Sequence, residues 1–489
     1  KTYTIDEYFL QLLKNEAVDI SAKINLSGMP PDYARYIYSE RFMRDAEKKL
    51  GKIYEGIAGM FLSEECKDAA AGVAAALREQ QEEFAYSRNA SVRVRRGVLG
   101  EIKEKAEGGL FYTKPFRGLM NEVTAAEEFF SVTLASEKIA NQGYFYERVL
   151  ALYRAGTYIA RTHARVTDGA LSDLSVLKDM VEREIADLKR YKIHKNGVET
   201  ETYAERIERR RELVAEIDKT AERIRRIASL FTGFVEFFEA LKGNEYFAKI
   251  GKCGTHLELA RLFYKDIVRS AKNRYRVGKG LFKSDAYALC LILSLMGRRL
   301  EPRFGMVFVD EGQDISQNEY ELLRRVNPDA AFNVYGDLAQ NITPQRGLRD
   351  WGALPGTVYE LDRNYRNTNQ IVRFVAETLG FSMLPVGFDG PPVQRISARG
   401  VGAFFRDKKG LKAVIVADKD LELYSRKSYN VLRATGRISK KKVNIMTVYE
   451  SKGLEFTCVA VADEGMTKNE KYIAYTRALK ELAVIGEKR

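Results

Sequence analysis

Residues 306 to 316 read MVFVDEGQDIS, four apolar residues followed by Asp310, Glu311, Gly312, Gln313 and Asp314. In a nucleotide-hydrolysing α/β domain, a carboxylate at the carboxyl end of a core strand holds Mg²⁺, usually through water. The metal prefers hard oxygen ligands and keeps much of its hydration. Asp310 stands in that position. A second carboxylate beside it can orient and deprotonate an attacking water, which makes Glu311 the candidate general base. An acidic pair at a strand end is common; the five-residue string is far more specific.

Further segments follow in fixed order. FNVYGDLAQNI brings a strand to Gly336-Asp337 and places Gln340 three residues on, where an amide can sense a γ-phosphate. YELDRNYRNTNQIVRFV sets Tyr365 and Arg366 at a strand-to-helix junction, an aromatic face for a base beside a guanidinium for phosphate. VNIMTVYESKGLEFTCVAVA and YIAYTRALKEL supply Lys452-Gly453-Leu454-Glu455 and Thr476-Arg477. The ordered set is hard to obtain by chance.

After residue 300, short apolar runs alternate with turn chemistry and helical patterns, which predicts parallel α/β sheets. The candidate strands are Met306 to Val309, Phe332 to Tyr335, Val358 to Leu361, Ala413 to Ala417, Val443 to Thr447, Cys458 to Ala462 and Ala483 to Ile485. Residues 1 to about 115 are mixed, with helical periodicity after Pro30-Pro31, a pair suited to a helix entrance. From about 118 to 240 the pattern is almost wholly helical. Its clearest part is a hairpin broken at Asn196-Gly197, with one seam at Leu174, Leu177, Val181, Ile185 and Leu188. Ile207, Leu213, Val214, Ile217, Ile224 and Ile227 form the other seam. Two such antiparallel helices make an arm able to project from a body. The run Arg209 to Arg211 on it reads as a solvated face.

A length of 489 residues implies two to four domains. The apolar fraction of 45% with 30% charged residues is that of a globular chain, and no apolar run is long enough to span a bilayer. A net charge of +13 suits a polyanionic partner as well as it suits a basic surface. Cys66, Cys253, Cys290 and Cys458 are widely separated and form no framework, which points to a reducing, cytoplasmic setting with no membrane partner.

The segment from about 284 to 489 resembles the motor core of superfamily 1 helicases of the UvrD, Rep and PcrA type. Within that group it is most similar to the HelD proteins, which use such a motor to remove and recycle bacterial RNA polymerase. DEGQD resembles the family's DEAQD box with Gly312 for Ala, and GDLAQ, NYRN, SKGLEF and YIAYTRA resemble its third to sixth boxes. The resemblance implies two RecA-like P-loop NTPase domains with parallel sheets, ATP and Mg²⁺ between them, and a large helical, coiled-coil insertion. It divides the chain at 1–115 (first domain, amino-terminal part), 116–245 (insertion), 246–356 (rest of the first domain) and 357–489 (second domain). By the same resemblance Asp310 holds Mg²⁺, Glu311 activates water, Gln340 contacts the γ-phosphate and Tyr365 stacks on adenine. Arg366 and Arg477 reach the transferring phosphoryl group, Glu455 meets the ribose, and Gly453 lies in the nucleotide-binding box.

Such a motor needs the phosphate loop G-x-x-x-x-G-K-[ST], and no complete copy occurs. The chain does open on Lys1-Thr2 before the apolar-periodic YTIDEYFLQLL. The expectation is therefore that the sequence starts inside the motif, with Lys1 serving the β- and γ-phosphates and Thr2 the Mg²⁺. A chain lacking the glycines is expected to hydrolyse ATP poorly.

UvrD-type helicases follow the third box with base-stacking aromatics, but here the continuation is QNITPQRGLRDW, with Thr343 and Gln345 at those places. Tyr449 replaces the usual His of the fifth box, and Trp351 reads as core. The expected function is therefore an ATP-driven, monomeric motor moving protein arms to release RNA polymerase. The alternatives are a DNA helicase or translocase and a nucleotide-fold binding module without turnover.

Overall fold

The computed structural model describes residues 2–16, 24–25, 30–89, 114–135, 142–194, 200–277, 281–342, 346–426 and 428–486. Lys1, the Asn196-Gly197 break, Thr343 and Gln345 lie outside them. The chain is mostly helical with parallel-strand sheets, an α/β protein.

The first half is built from helices α1 (Ile5–Glu16), α2 (Glu40–Phe61), α3 (Glu64–Asn89), α4 (Lys114–Ala135), α5 (Gln142–His194) and α6 (Thr200–Lys242). Pro31 opens a short helix at its first position, where a missing N–H costs nothing. The expected seams on α5 and α6 face inward. Leu174, Leu177, Val181 and Ile185 are buried with Ile207, Ile217, Ile224 and Ile227, while Leu188, Leu213 and Val214 are partly covered. Lys178 pairs with Asp218 at 2.7 Å and Arg210 with Glu184, a sequence order that only an antiparallel pair permits. Arg211 is neutralised by Glu208, so most of the basic run at 209–211 is spent within the hairpin. Near its base the hairpin is joined by α3, whose Glu79 pairs with Arg226 on α6, and by α4, which lies along α5. Phe129, Phe130, Phe234 and Phe238 fill that bundle with edge-on and stacked rings.

Helices α7 (His256–Arg274) and α8 (Lys283–Leu295) pack with α1 and α2 and lead to a βαβ unit. Its parts are β1 (Met306–Val309), α9 (Gln317–Val326) and β2 (Ala331–Val334), with Val309 opposite Val334. Ser316 and Glu319 cap α9 reciprocally. Glu319 is fully buried, and Arg346 answers it while also reaching Asp6 of α1 at 3.2 Å. Burial works to lower the Arg346 pKa, but the Glu319 charge overcomes it and the net shift is upward. The pair thus holds the loop after β2 against α9 and α1.

The second half carries six parallel strands, β3 (Gln394–Ile396), β4 (Lys412–Val416), β5 (Asn430–Val431), β6 (Asn444–Thr447), β7 (Phe456–Ala462) and β8 (Ala478–Ile485), in the order β3-β8-β7-β4-β6-β5. Period-two alternation divides the four central strands, β4, β6, β7 and β8, between two cores. Ala413, Ile415, Val459 and Val461 face one, with Ile371 and Val375 of α10 (Asn369–Leu379) and Ile473 of α11 (Lys468–Thr476). Val414, Val416, Cys458 and Ala460 face the other, with Phe404 and Phe405. A sheet covered on both faces explains why its strands read as unbroken apolar runs.

Six of the seven expected strands occur, Met306 to Val309 with the expected bounds and the other five with shifted ends. Val358 to Leu361 does not: it is unpaired, and Leu361 is 94% exposed. Pairing begins only at Arg363–Asn364, against Leu384–Pro385. β propensity without a partner edge produces no strand. All four cysteines are free, and among the described residues no helix is long and apolar enough to cross a membrane.

Removing the cation from a buried pair leaves an uncompensated carboxylate, so Arg346→Met is expected to cost about 3–5 kcal/mol in urea unfolding. A loss below about 1 kcal/mol would show that Glu319 does not depend on it.

Candidate functional site

Strand β1 delivers Asp310 and Glu311 to its carboxyl end, where the backbone turns sharply. Glu311 adopts φ 51° and ψ 38°, a left-handed conformation uncommon for a non-glycine residue. The turn is fixed by the Gly312 N–H, which donates to the Tyr335 carbonyl at 2.8 Å, and by the Tyr320 hydroxyl, which donates to the Gly312 carbonyl at 2.9 Å. A β-carbon at Gly312 would lie 2.5 Å from Val334 Cγ1 and 2.6 Å from Tyr320 Oη. This crowding accounts for a glycine at position 312.

Gln313 is fully buried and uses its whole amide. Its Nε2 donates to Glu311 Oε2 at 2.6 Å, and its Oε1 accepts from the Asp337 N–H at 3.0 Å. Its carbonyl receives the Leu348 N–H and Asn341 Nδ2. One side chain therefore sets the spacing between the ends of β1 and β2.

Asp337 caps the short turn Leu338–Gln340 through the Ala339 N–H at 3.0 Å. Its other oxygen accepts from Gln340 Nε2 at 3.0 Å and the Tyr472 hydroxyl at 2.8 Å. Gln340 Oε1 then accepts from Arg477 Nη2 at 3.3 Å, so the amide is shared between an aspartate of the first half and an arginine of the second. Arg477 is 2% exposed and also donates to the Ile473 and Leu454 carbonyls. Burial, then the positive charge of Arg366, lower its pKa, while Glu311 acts in the opposite direction. Arg366 and Glu311 therefore each lie within electrostatic reach of Arg477.

A second bridge crosses the halves. Lys452 binds both oxygens of Asp314, at 2.7 and 2.6 Å, and the Gln340 carbonyl at 3.0 Å. The Tyr449 hydroxyl donates to the Ile342 carbonyl at 2.8 Å, and Asn469 Nδ2 to the Asn341 carbonyl at 2.9 Å. Gly453 sits at φ 77° with open space around its α-carbon, so its glycine is a backbone requirement.

The expected residues divide as follows. Glu311, Gln340, Arg366, Glu455 and Arg477 converge around this junction. Arg366 and Glu455, given separate roles by the resemblance, form an ion pair, both partly exposed. Asp310 lies at the strand end with Oδ1 accepting the Glu311 N–H at 2.9 Å. Tyr365 is 68% exposed, and Thr2 is exposed in the short segment before α1. Trp351 packs against the first core. Unforeseen were Gln313, Asp314, Lys452 and Tyr472. All four lie inside the boxes quoted above, Tyr472 as the first residue of YIAYTRA, one helical turn before Thr476. Among the described residues no group of three or more His, Cys, Asp or Glu forms a metal cluster.

No protein-family model and no curated protein matches the chain. Among solved structures, one titled "The structure of PRRSV helicase" matches with 14% identity and a TM-score of 0.25. The match covers 36% of this chain and 34% of that one, about a third of each.

Gly312→Ala is expected to cost about 1–3 kcal/mol in urea unfolding through overpacking, and Val334→Ala in the same chain should recover part of it. An unchanged midpoint for the single variant would contradict the crowded turn.

Proposed function

We propose that this chain is the motor portion of an ATP-driven, superfamily 1 helicase-like enzyme of the HelD kind, which turns ATP hydrolysis into movement of its helical hairpin and releases RNA polymerase from nucleic acid. The observation that carries this reading is the Gln340 amide held between Asp337 and Arg477. An amide so placed changes partners when a γ-phosphate arrives and reports that change to both halves.

In this reading Asp310 holds Mg²⁺ with Thr2. One exposed carboxylate and one hydroxyl are hard oxygen donors of the kind a nucleotide-bound, largely hydrated Mg²⁺ accepts, so the residues fit. When bound, the ion neutralises charge on the β- and γ-phosphates. Glu311 accepts a proton from water as its oxygen bonds to the γ-phosphorus and the bond to the β-phosphate oxygen breaks. Arg477, and Arg366 once it exchanges Glu455 for phosphate, stabilise the charge that develops. Lys1 serves the phosphates, Tyr365 offers its exposed ring to adenine, and Glu455, freed from Arg366, turns to the ribose beside Gly453.

A route to the hairpin exists in side chains. Arg298 Nε binds Glu16 at the end of α1 at 3.0 Å, and its Nη1 binds Glu147 near the start of α5 at 3.1 Å. A shift of α1 caused by nucleotide at Thr2 reaches the hairpin base through that one guanidinium.

The test is ATP turnover by the full-length natural protein alone, with single-stranded DNA, and with core RNA polymerase. Polymerase should stimulate and DNA should not, and Arg477→Ala should lower turnover by about 100-fold or more. Strong stimulation by DNA would make the protein a DNA helicase or translocase, and no turnover under any condition would leave a nucleotide-binding module.

A further inference from the structure

Residues 423 to 449 contain seven Lys and Arg and no Asp or Glu. Four of these cations, Arg437, Lys440, Lys441 and Lys442, occupy the turn entering β6, and all four are exposed. Among the described residues none of the four makes an ion pair, whereas Arg433 just before them is held by Asp418 and Glu450. The contrast with the hairpin is direct: Arg210 and Arg211 there are spent on Glu184 and Glu208.

The turn is built, and its builder is Asn444. This side chain is fully buried. Its Oδ1 accepts from the Ser439 N–H at 2.7 Å and from Asn430 Nδ2 at 2.8 Å. Its Nδ2 donates to the Ser439 and Lys412 carbonyls, each at 3.0 Å. Ser439 Oγ in turn accepts the N–H groups of Lys441 and Lys442 at 3.3 and 3.0 Å, and the Arg437 carbonyl receives Asn430 Nδ2 at 2.8 Å. The backbone under four unpaired cations is thus ordered before any partner arrives, which reduces the entropy lost on binding. Because β4 pairs with β6, with Ala413 opposite Asn444, the loop before β4 lies alongside and adds exposed Arg406 and Lys409.

We infer that this turn is a docking surface for the phosphate backbone of nucleic acid. The concentration of unpaired charge on a pinned turn without exposed aromatics fits recognition of a regularly spaced polyanion by charge, with no reading of bases. The surface is separate from the nucleotide site. It lies at the amino end of β6, while the carboxyl end leads through Tyr449 to Lys452 and the junction with the first half. The four residues of β6 separate the two by roughly 13 Å.

The test is fluorescence anisotropy of a labelled mixed-sequence DNA duplex over a range of potassium chloride concentrations, with no nucleotide present. The wild-type chain is compared with K440A/K441A/K442A, and R209A/R211A on the hairpin serves as the charge-removal control. All the substituted side chains are exposed or partly exposed, and urea unfolding checks that the variants remain folded. The triple variant should bind at least about tenfold more weakly at low salt, with a slope of log affinity against log salt shallower by about 2–3, while the control matches wild type. Equal affinity and slope in wild type and triple variant would overturn the inference. So would poly-glutamate displacing the duplex as well as unlabelled DNA of equal charge, which would make the partner an acidic protein. Neither result bears on ATP turnover, so this inference and the motor reading fail separately.

Discussion

A single buried amide determines the geometry of the site. Gln313 is fixed by partners on both sides of its side chain and on its carbonyl. An unpaired buried amide costs about 1–3 kcal/mol, so the donors and acceptors around it are constrained together. Glu311 is aimed by Nε2, and the start of the Asp337 turn is set by Oε1. Gln340 follows from Asp337, and the contact with Arg477 follows from Gln340. The left-handed backbone at Glu311 and the crowded Gly312 are the local consequences of bringing β1 and β2 to that amide.

The two halves meet through polar contacts of unequal character. Lys452 and Asp314 form an ion pair only partly open to solvent, whereas Arg366 and Glu455 are paired near the surface. The second is a pair that a competing anion can separate, since exposed pairs contribute about 0–1 kcal/mol. Arg477 sits between them with its charge buried, held by carbonyls and Gln340 in place of a carboxylate. A guanidinium kept without a full counter-charge is poised for an anion.

Much of the second half was legible from the sequence because its strands are covered on both faces. Val414 and Val416 point to one core while Ala413 and Ile415 point to the other, so the run is apolar at every position. The hairpin was legible through period, its seams falling on the buried residues. Val358 to Leu361 misled, because the same residue types have no partner edge and stand exposed. The packing of α3 along α6 and the pairing of Arg366 with Glu455 were not legible. Both join residues far apart in sequence, and neither spacing nor type announces such contacts. The role of Gln313 was hidden for the same reason, although the residue itself stood in the most conspicuous string of the chain.

In the proposed function, nucleotide is sensed where Gln340 meets Arg477 and Lys452 meets Asp314. Hydrogen exchange of the full-length natural protein, with and without a non-hydrolysable ATP analogue and Mg²⁺, tests it most directly. The account predicts that amide protection in residues 310–316, 337–341 and 449–455 changes together when the analogue binds, and that Gln340→Ala uncouples the third segment from the first two. Binding of the analogue with no change at 337–341 and 449–455 would contradict it.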